Sequence, residues 1–364
     1  MVKFTVNPMT NTFGFTPTSG DVDWVLYLAK KFKRLFGGDD YIDYSPERAA
    51  EVYQDSNIEF VQTPDGRVRS PYQLLFDYRQ WPAERRSWGT VTFTGAYAFP
   101  GALDRRRKEM IDAFEHKRLL KKGNQKAPRV VKYESSKELP HFVLQTAYYH
   151  DQVGSNLTID RPPFSTPVMV RGVECQCVRE WDVAQAHGNV KKLPTFEESK
   201  LANTIGVAIG ITAQSRDGRW HWVRRKRSKD VAVYPGMWHV PFSFALALSD
   251  HSLEAKDLNT LIHFDLGSER SEELAGLEVS DFGTLKPVAF CRDLARGGKP
   301  QFFFELPALI PLEDLQQKAK DTTSEYTGKI QAISKQEESP NVSPELVCFL
   351  LLKSFPQREA LGTA

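Results

Sequence analysis

The segment ANTIGVAIGITAQSRDGRWHWVRRKRSKDVAVYPGMWHVP, residues 202–241, places two strand-like runs on either side of Asp217-Gly218 and then turns through Pro235-Gly236. Asp-Gly tolerates the left-handed backbone of a two-residue turn, so this pattern predicts a β-hairpin. Its second strand ends in Arg224, Arg225, Lys226 and Arg227, followed by Ser228. Successive side chains of a strand point to opposite faces. Only one alternating pair, Arg225 with Arg227 or Arg224 with Lys226, can therefore face a cleft. Two readings stand side by side here: a basic strand end that grips phosphates, or a solvated hairpin with Trp238 in the core.

Outward from the hairpin, residues 281–308 read as a second pair of strands about Gly297-Gly298. The stretch between the two pairs is helical in composition. Residues 311–326 read as a helix, 331–343 as a polar stretch, and a final apolar helix starts at Pro344. Upstream, 21–38 has the apolar spacing of an amphipathic helix ended by Gly37-Gly38, and 45–56 opens with Ser-Pro as a helix start. Residues 86–99, 141–160 and 168–181 read as strands. Between them, 103–122 is a basic helix carrying Arg105, Arg106, Arg107, Lys108, Lys117, Arg118, Lys121 and Lys122, with Glu109, Asp112 and Glu115 interspersed. The polar segment 184–200, which contains Pro194, is the expected boundary. The predicted organisation is an unassigned α+β domain over 1–190 and a second domain over 200–355.

The order strand, Asp-Gly turn, basic strand, Pro235-Gly236-x-Trp238 with Pro241, helix, then further strands resembles the Nudix hydrolase domain over roughly 200–310. SERSEELAGL (268–277) echoes that family's acidic helix, with Glu269, Glu272 and Glu273 as its acids and Gly276-Leu277 as its end. The family's double glycine after the loop is replaced by Phe242-Ser243, FALALSD lacks its Gly-Glu pair, and Ser268 stands where an arginine is usual. The resemblance implies an α/β (α+β) fold, an α/β/α sandwich about a mixed sheet with a C-terminal helical extension. It also implies a site in which Glu269, Glu272 and Glu273 are the catalytic residues and hold magnesium or manganese. Arg225 and Arg227 would meet substrate phosphates, and Trp238 and His239 would stack on a base. Asp250, Glu254 or Asp265 is a candidate supplementary acid. Carboxylates three or four apart share one helix face, and a hard divalent cation needs several such oxygens.

Three functions follow. One is a protein that recognises a nucleoside-diphosphate-linked molecule, its hydrolysis weak or lost with the eroded motif. The second is an active, divergent metal-dependent pyrophosphohydrolase. The third is an interaction or nucleic-acid-binding protein that uses the basic helix 103–122.

Composition narrows the field. The 364 residues carry 48 Lys and Arg against 46 Asp and Glu, a net charge of +2 that argues against a uniformly basic nucleic-acid binder. Cys175, Cys177, Cys291 and Cys348 lack zinc-site spacing and are too sparse for a disulfide framework. Neither a secretory h-region nor a membrane-length apolar run is apparent, and a cytoplasmic location is the expectation. His141, His150, His187, His221, His239 and His263 show no ligand spacing, and phosphate-loop, dinucleotide-binding and nucleophile-elbow motifs do not occur.

Overall fold

The computed structural model describes residues 4–6, 13–15, 44–55, 57–81, 87–116, 123–136, 139–160, 167–268, 276–319, 323, 325–333 and 341–354. The chain opens with the antiparallel pair β1 (Phe4–Val6) and β2 (Phe13–Phe15). The expected helix over 21–38 lies outside the described residues. Helix α1 (Pro46–Val52) starts where Ser-Pro predicts: the Ser45 hydroxyl accepts from the Arg48 amide at 3.1 Å, and Pro46 gives up no needed donor. β3 (Phe60–Gln62) and β4 (Arg69–Asp77) follow, then β5 (Thr90–Ala96) and α2 (Gly101–His116), the described part of the basic helix. β6 (Lys126–Glu134) and β7 (His141–Tyr148) join β5 in a three-stranded sheet of order β5-β7-β6.

Two stretches expected to be strands turn into helices partway. After β7, residues 149–154 form α3 (Tyr149–Gly154), because the Asp151 carboxylate accepts the Tyr148 amide at 3.0 Å and caps the turn. Likewise β8 (Val168–Val170) and β9 (Val173–Cys175) give way to α4 (Val178–His187). The hairpin between β8 and β9 turns on Arg171 and Gly172, both at positive φ (47° and 81°).

The hairpin read from the sequence is β10 (Gly206–Gln214) paired antiparallel with β11 (Trp220–Arg227), and Gly218 takes φ 83° in its turn. Next come β12 (Trp238–His239), β13 (Phe242–Ala245) and α5 (Leu258–Ser268). β14 (Lys286–Asp293), β15 (Lys299–Pro307), α6 (Leu312–Lys318), β16 (Tyr326–Ala332) and α7 (Pro344–Ser354) complete the chain. The fold is α+β. Its main sheet runs β12-β11-β10-β15-β14-β4-β3, with β13 on β10 and β16 on β11. It is mixed, since β10 and β15 are parallel and their other pairings antiparallel. Strands β3 and β4 extend it across the boundary expected between residues 190 and 200, through pairing of β4 with β14.

Alternation sorts the core. Val207, Ile209 and Ile211 of β10, with Phe302 and Phe304 of β15, pack against Phe142 and Leu144 of the small sheet and Leu258, Leu261 and Ile262 of α5. The opposite face carries Ala208 and Phe303 against Leu346, Phe349 and Leu350 of α7. Helix α7 is apolar nearly all round and buried on all sides, at about 1.5–3 kcal/mol per large side chain withdrawn from water. Gly210 makes the close approach possible: a Cβ there would lie only 2.1 Å from the Phe349 ring. Among the described residues no helix is long and apolar enough to cross a membrane.

Candidate functional site

Where β10 and β15 begin and β13 ends, α7 also begins, and polar side chains replace the apolar core. The route into β15 is a 3₁₀ turn, Leu294–Arg296, whose first amides are met by Asp293; its Oδ1 accepts from the Arg296 amide at 3.2 Å. Gly297 and Gly298 then adopt φ 73° and 77°, which the chain needs to double back. That turn delivers Lys299 and Gln301 onto the α7 side of the sheet, directly over Gly206. A Cβ at Gly206 would sit 2.3 Å from the Lys299 Nζ and 2.1 Å from the Gln301 Oε1.

At the start of α7, Ser343 caps the helix by accepting the Leu346 amide at 3.2 Å, and Pro344-Glu345 form the first turn. The Glu345 carboxylate accepts from Arg296 Nη2 at 2.9 Å, Ser243 Oγ at 2.7 Å and His239 Nε2 at 3.0 Å. The other ring nitrogen of His239 lies 3.0 Å from the Val240 carbonyl, so each ring nitrogen faces an oxygen. Arg296 Nε reaches Asp293 Oδ2 at 2.6 Å, and that same oxygen accepts from the Tyr72 hydroxyl at 3.0 Å. Tyr234, held at φ 53°, closes the network with its hydroxyl 3.3 Å from that of Tyr72. Burial by itself would raise the Glu345 carboxyl; the His239 ring, Arg296 and the Ser243 bond outweigh it and hold the group well below the usual carboxylate range.

This network forms one side of a cavity of about 100 Å³ between the main sheet and the N-terminal segments Gln125–Ala127 and α3. Arg227 lines it, ion-paired to Glu325 at 3.1 Å. Lys299 lines it too, 1% exposed, with no hydrogen-bond or ion-pair partner for its amine among the described residues. Burial and the charge of Arg296, only partly opposed by Glu345 and Asp293, pull the Lys299 amine down to about 7. Two further buried donors, Arg227 Nε and Gln301 Nε2, also lack an acceptor among the described residues. Burial pushes the Tyr149 phenol on the far wall up to about 12, so it keeps its proton. The cavity lining thus includes N–H donors unmet among the described residues.

The residues singled out in the sequence divide. Arg227 and His239 line the cavity. Arg225 shares the face of Arg227, both guanidiniums lying over the Tyr326 ring at 5.0 and 5.3 Å, but it is buried away from the cavity. Trp238 is half-buried beneath Arg224, 4.2 Å from its ring centre, and stands outside the cavity lining. The solvated-hairpin reading does not hold: Arg224, Arg225 and Arg227 are all buried, because β10, β12 and β16 flank the strand on both edges, and only Lys226 is exposed.

Glu269, Glu272 and Glu273 lie outside the described residues. Of the supplementary acids, Asp250 is exposed and bonded to Lys126 at 3.1 Å, Glu254 is exposed, and the buried Asp265 accepts the Ala247 amide at 3.1 Å. On the basic helix, Arg105 pairs with Glu109, Arg107 bridges Asp104 and Asp151, and Arg106 is buried. Lys117, Arg118, Lys121 and Lys122 are outside the described residues.

Magnesium or manganese does not fit the described part of the cavity. Its two acids, Glu345 and Glu325, are already bonded to buried cations, and no group of three potential ligands is assembled among the described residues. The reading of the sequence did not pick out Lys299, Arg296, Gln301 or Glu345. The available signals were a double glycine flanked by cations in ARGGKPQ and an acid in the first turn of the Ser-Pro-Glu helix start.

No protein-family model matches the chain, and a search of curated proteins also finds no match. Among solved structures the chain is similar to a Nudix hydrolase from M. smegmatis, RenU, at 13% identity and a TM-score of 0.20, over 35% of this chain and 68% of that one.

Proposed function

We propose that the protein binds a small molecule of the nucleotide type by its phosphate end, and that the cavity around Lys299, Arg227 and Gln301 is where the phosphate sits. The observation that supports this is a pair of buried nitrogen donors without acceptors among the described residues, Arg227 Nε and Gln301 Nε2, beside the buried Lys299 amine. A buried donor left unsatisfied costs about 1–3 kcal/mol, and a bond to a charged group returns about 1.5–3 kcal/mol. A phosphate brings several oxygens to donors already in place. At about 100 Å³ the cavity has room for about three water molecules' share of liquid, below the ~300–1,000 Å³ of sites that enclose a whole drug-sized ligand. It is sized for the anionic end, with the rest of the molecule outside. With Glu345 and Glu325 already bonded, the ligand is held there without hydrolysis by these acids.

Calorimetric titration with ADP, pyrophosphate and adenosine, without divalent metal, tests the reading. ADP and pyrophosphate bind and adenosine does not. Lys299→Met and Arg227→Gln each weaken binding by about tenfold or more. Adenosine binding as tightly as ADP, or unchanged affinity in both variants, refutes it.

A further inference from the structure

Three buried cations near this site have counterions, Arg296 with Asp293 and Glu345, Arg227 with Glu325, and Arg179 with Asp160, while Arg292 and Arg129 donate to neutral carbonyl oxygens. The Lys299 amine has neither kind of partner among the described residues. For a phosphate clamp an arginine would serve as well, since a guanidinium keeps its charge when buried, whereas a buried ammonium without a partner sheds a proton. What the lysine offers instead is a neutral amine, which is a nucleophile, in a cavity beside two cationic side chains. Gly206 keeps the space at its tip open. Desolvation together with a neighbouring positive charge is the setting in which a lysine attacks carbonyl groups.

Resting on the anion-site reading, we infer that Lys299 forms an imine with a small phosphorylated aldehyde. The phosphate takes the donors of Arg227 and Gln301, which places the carbonyl carbon toward the amine. The nitrogen lone pair makes the C–N bond as the C=O bond opens. The two amine protons then leave with the carbonyl oxygen as one water, and the C=N bond remains. At pH 7 about half of amines titrating at about 7 are neutral, against fewer than roughly one in a thousand of exposed lysines.

The test treats the full chain at pH 7 with glycolaldehyde phosphate and sodium cyanoborohydride, which reduces the imine to a stable secondary amine, and maps the adducts by mass spectrometry. Lys299 is modified about tenfold or more faster than any other lysine, pyrophosphate suppresses the reaction, and glycolaldehyde lacking the phosphate reacts more slowly. Lys299→Arg, which keeps a cation but has no amine that can form an imine, gives no adduct in its place. Adducts spread over exposed lysines with Lys299 untouched, while pyrophosphate still binds, overturn the imine and leave the anion site standing. Failure of pyrophosphate to bind removes the anion site and the inference with it.

Discussion

Replacing Lys299 with methionine makes the protein more stable as it disables the site. The amine falls from 10.5 to about 7 on folding. Between those values the unfolded chain binds a proton that the folded chain has given up, so folding stability rises with pH across this window and is lowest below it. At about 1.4 kcal/mol per pH unit, and with half the folded amines already neutral at pH 7, the cost to the folded state there is ~4 kcal/mol. By pH 10 most of it is gone, leaving ~1 kcal/mol. The residue is 1% exposed, so solvent screening takes little from this figure. Methionine has similar length and no charge to desolvate. Urea denaturation of wild type and Lys299→Met, followed by circular dichroism at pH 7 and pH 10, should show the variant ahead by ~2–4 kcal/mol at the lower pH and the gap mostly closed at the higher. A variant no more stable than wild type at pH 7, or a gap that does not narrow with pH, refutes the account of Lys299 as a buried amine without a counterion. A destabilising residue retained at a cavity is what a trade between stability and function looks like.

Three other outcomes follow from the same geometry. Glu345→Gln removes the carboxylate charge shared by His239, Arg296 and Ser243, leaving a neutral amide oxygen there and Asp293 as the remaining acid on Arg296, and costs ~3–5 kcal/mol in the same urea assay. Because the Glu345 carboxyl is held below its ordinary value, its contribution is present above about pH 4.3 and lost as pH falls through the folded value; the variant's acid limb is correspondingly flatter. Gly210→Ala drives a methyl into the Phe349 ring and lowers stability by ~1–3 kcal/mol, with part recovered by adding Phe349→Leu, as read by thermal melting. Arg225→Met leaves pyrophosphate affinity unchanged in calorimetry while Arg227→Gln weakens it, since only Arg227 reaches the cavity.

The parts of the fold legible in the sequence were those encoded locally. Asp217-Gly218 specified a turn by backbone conformation, and β10 and β11 pair across it as expected. Ser45-Pro46 and Pro344 marked true helix starts. The alternation rule put Arg225 and Arg227 on one face, yet could not tell which of them reaches a cavity, because that depends on where Glu325 and Tyr326 return to the strand a hundred residues later. His239, expected to stack on a base, is buried beside Glu345, to which no local spacing connects it. Lys299 was not singled out in the sequence. Its burial follows from α7 and the small sheet closing over it, contacts that carry no short-range signature.

The joining of β4 to β14 fixes how the chain can be divided. Tyr72 pairs with Asp293 in register, and the same tyrosine's hydroxyl supports Asp293 in the network at the cavity. A fragment cut at residue 200 would keep both hairpin strands and the whole of α7, but Ala289–Asp293 would present bare amides and carbonyls along an edge no longer covered. Such an edge invites pairing with other chains. Pairing across more than two hundred residues also belongs to the slow end of folding, since the loop must close before the contact forms. The first half of the chain is therefore part of the scaffold on which Asp293, Arg296 and Lys299 are aligned, and the second half expressed alone would be prone to self-association.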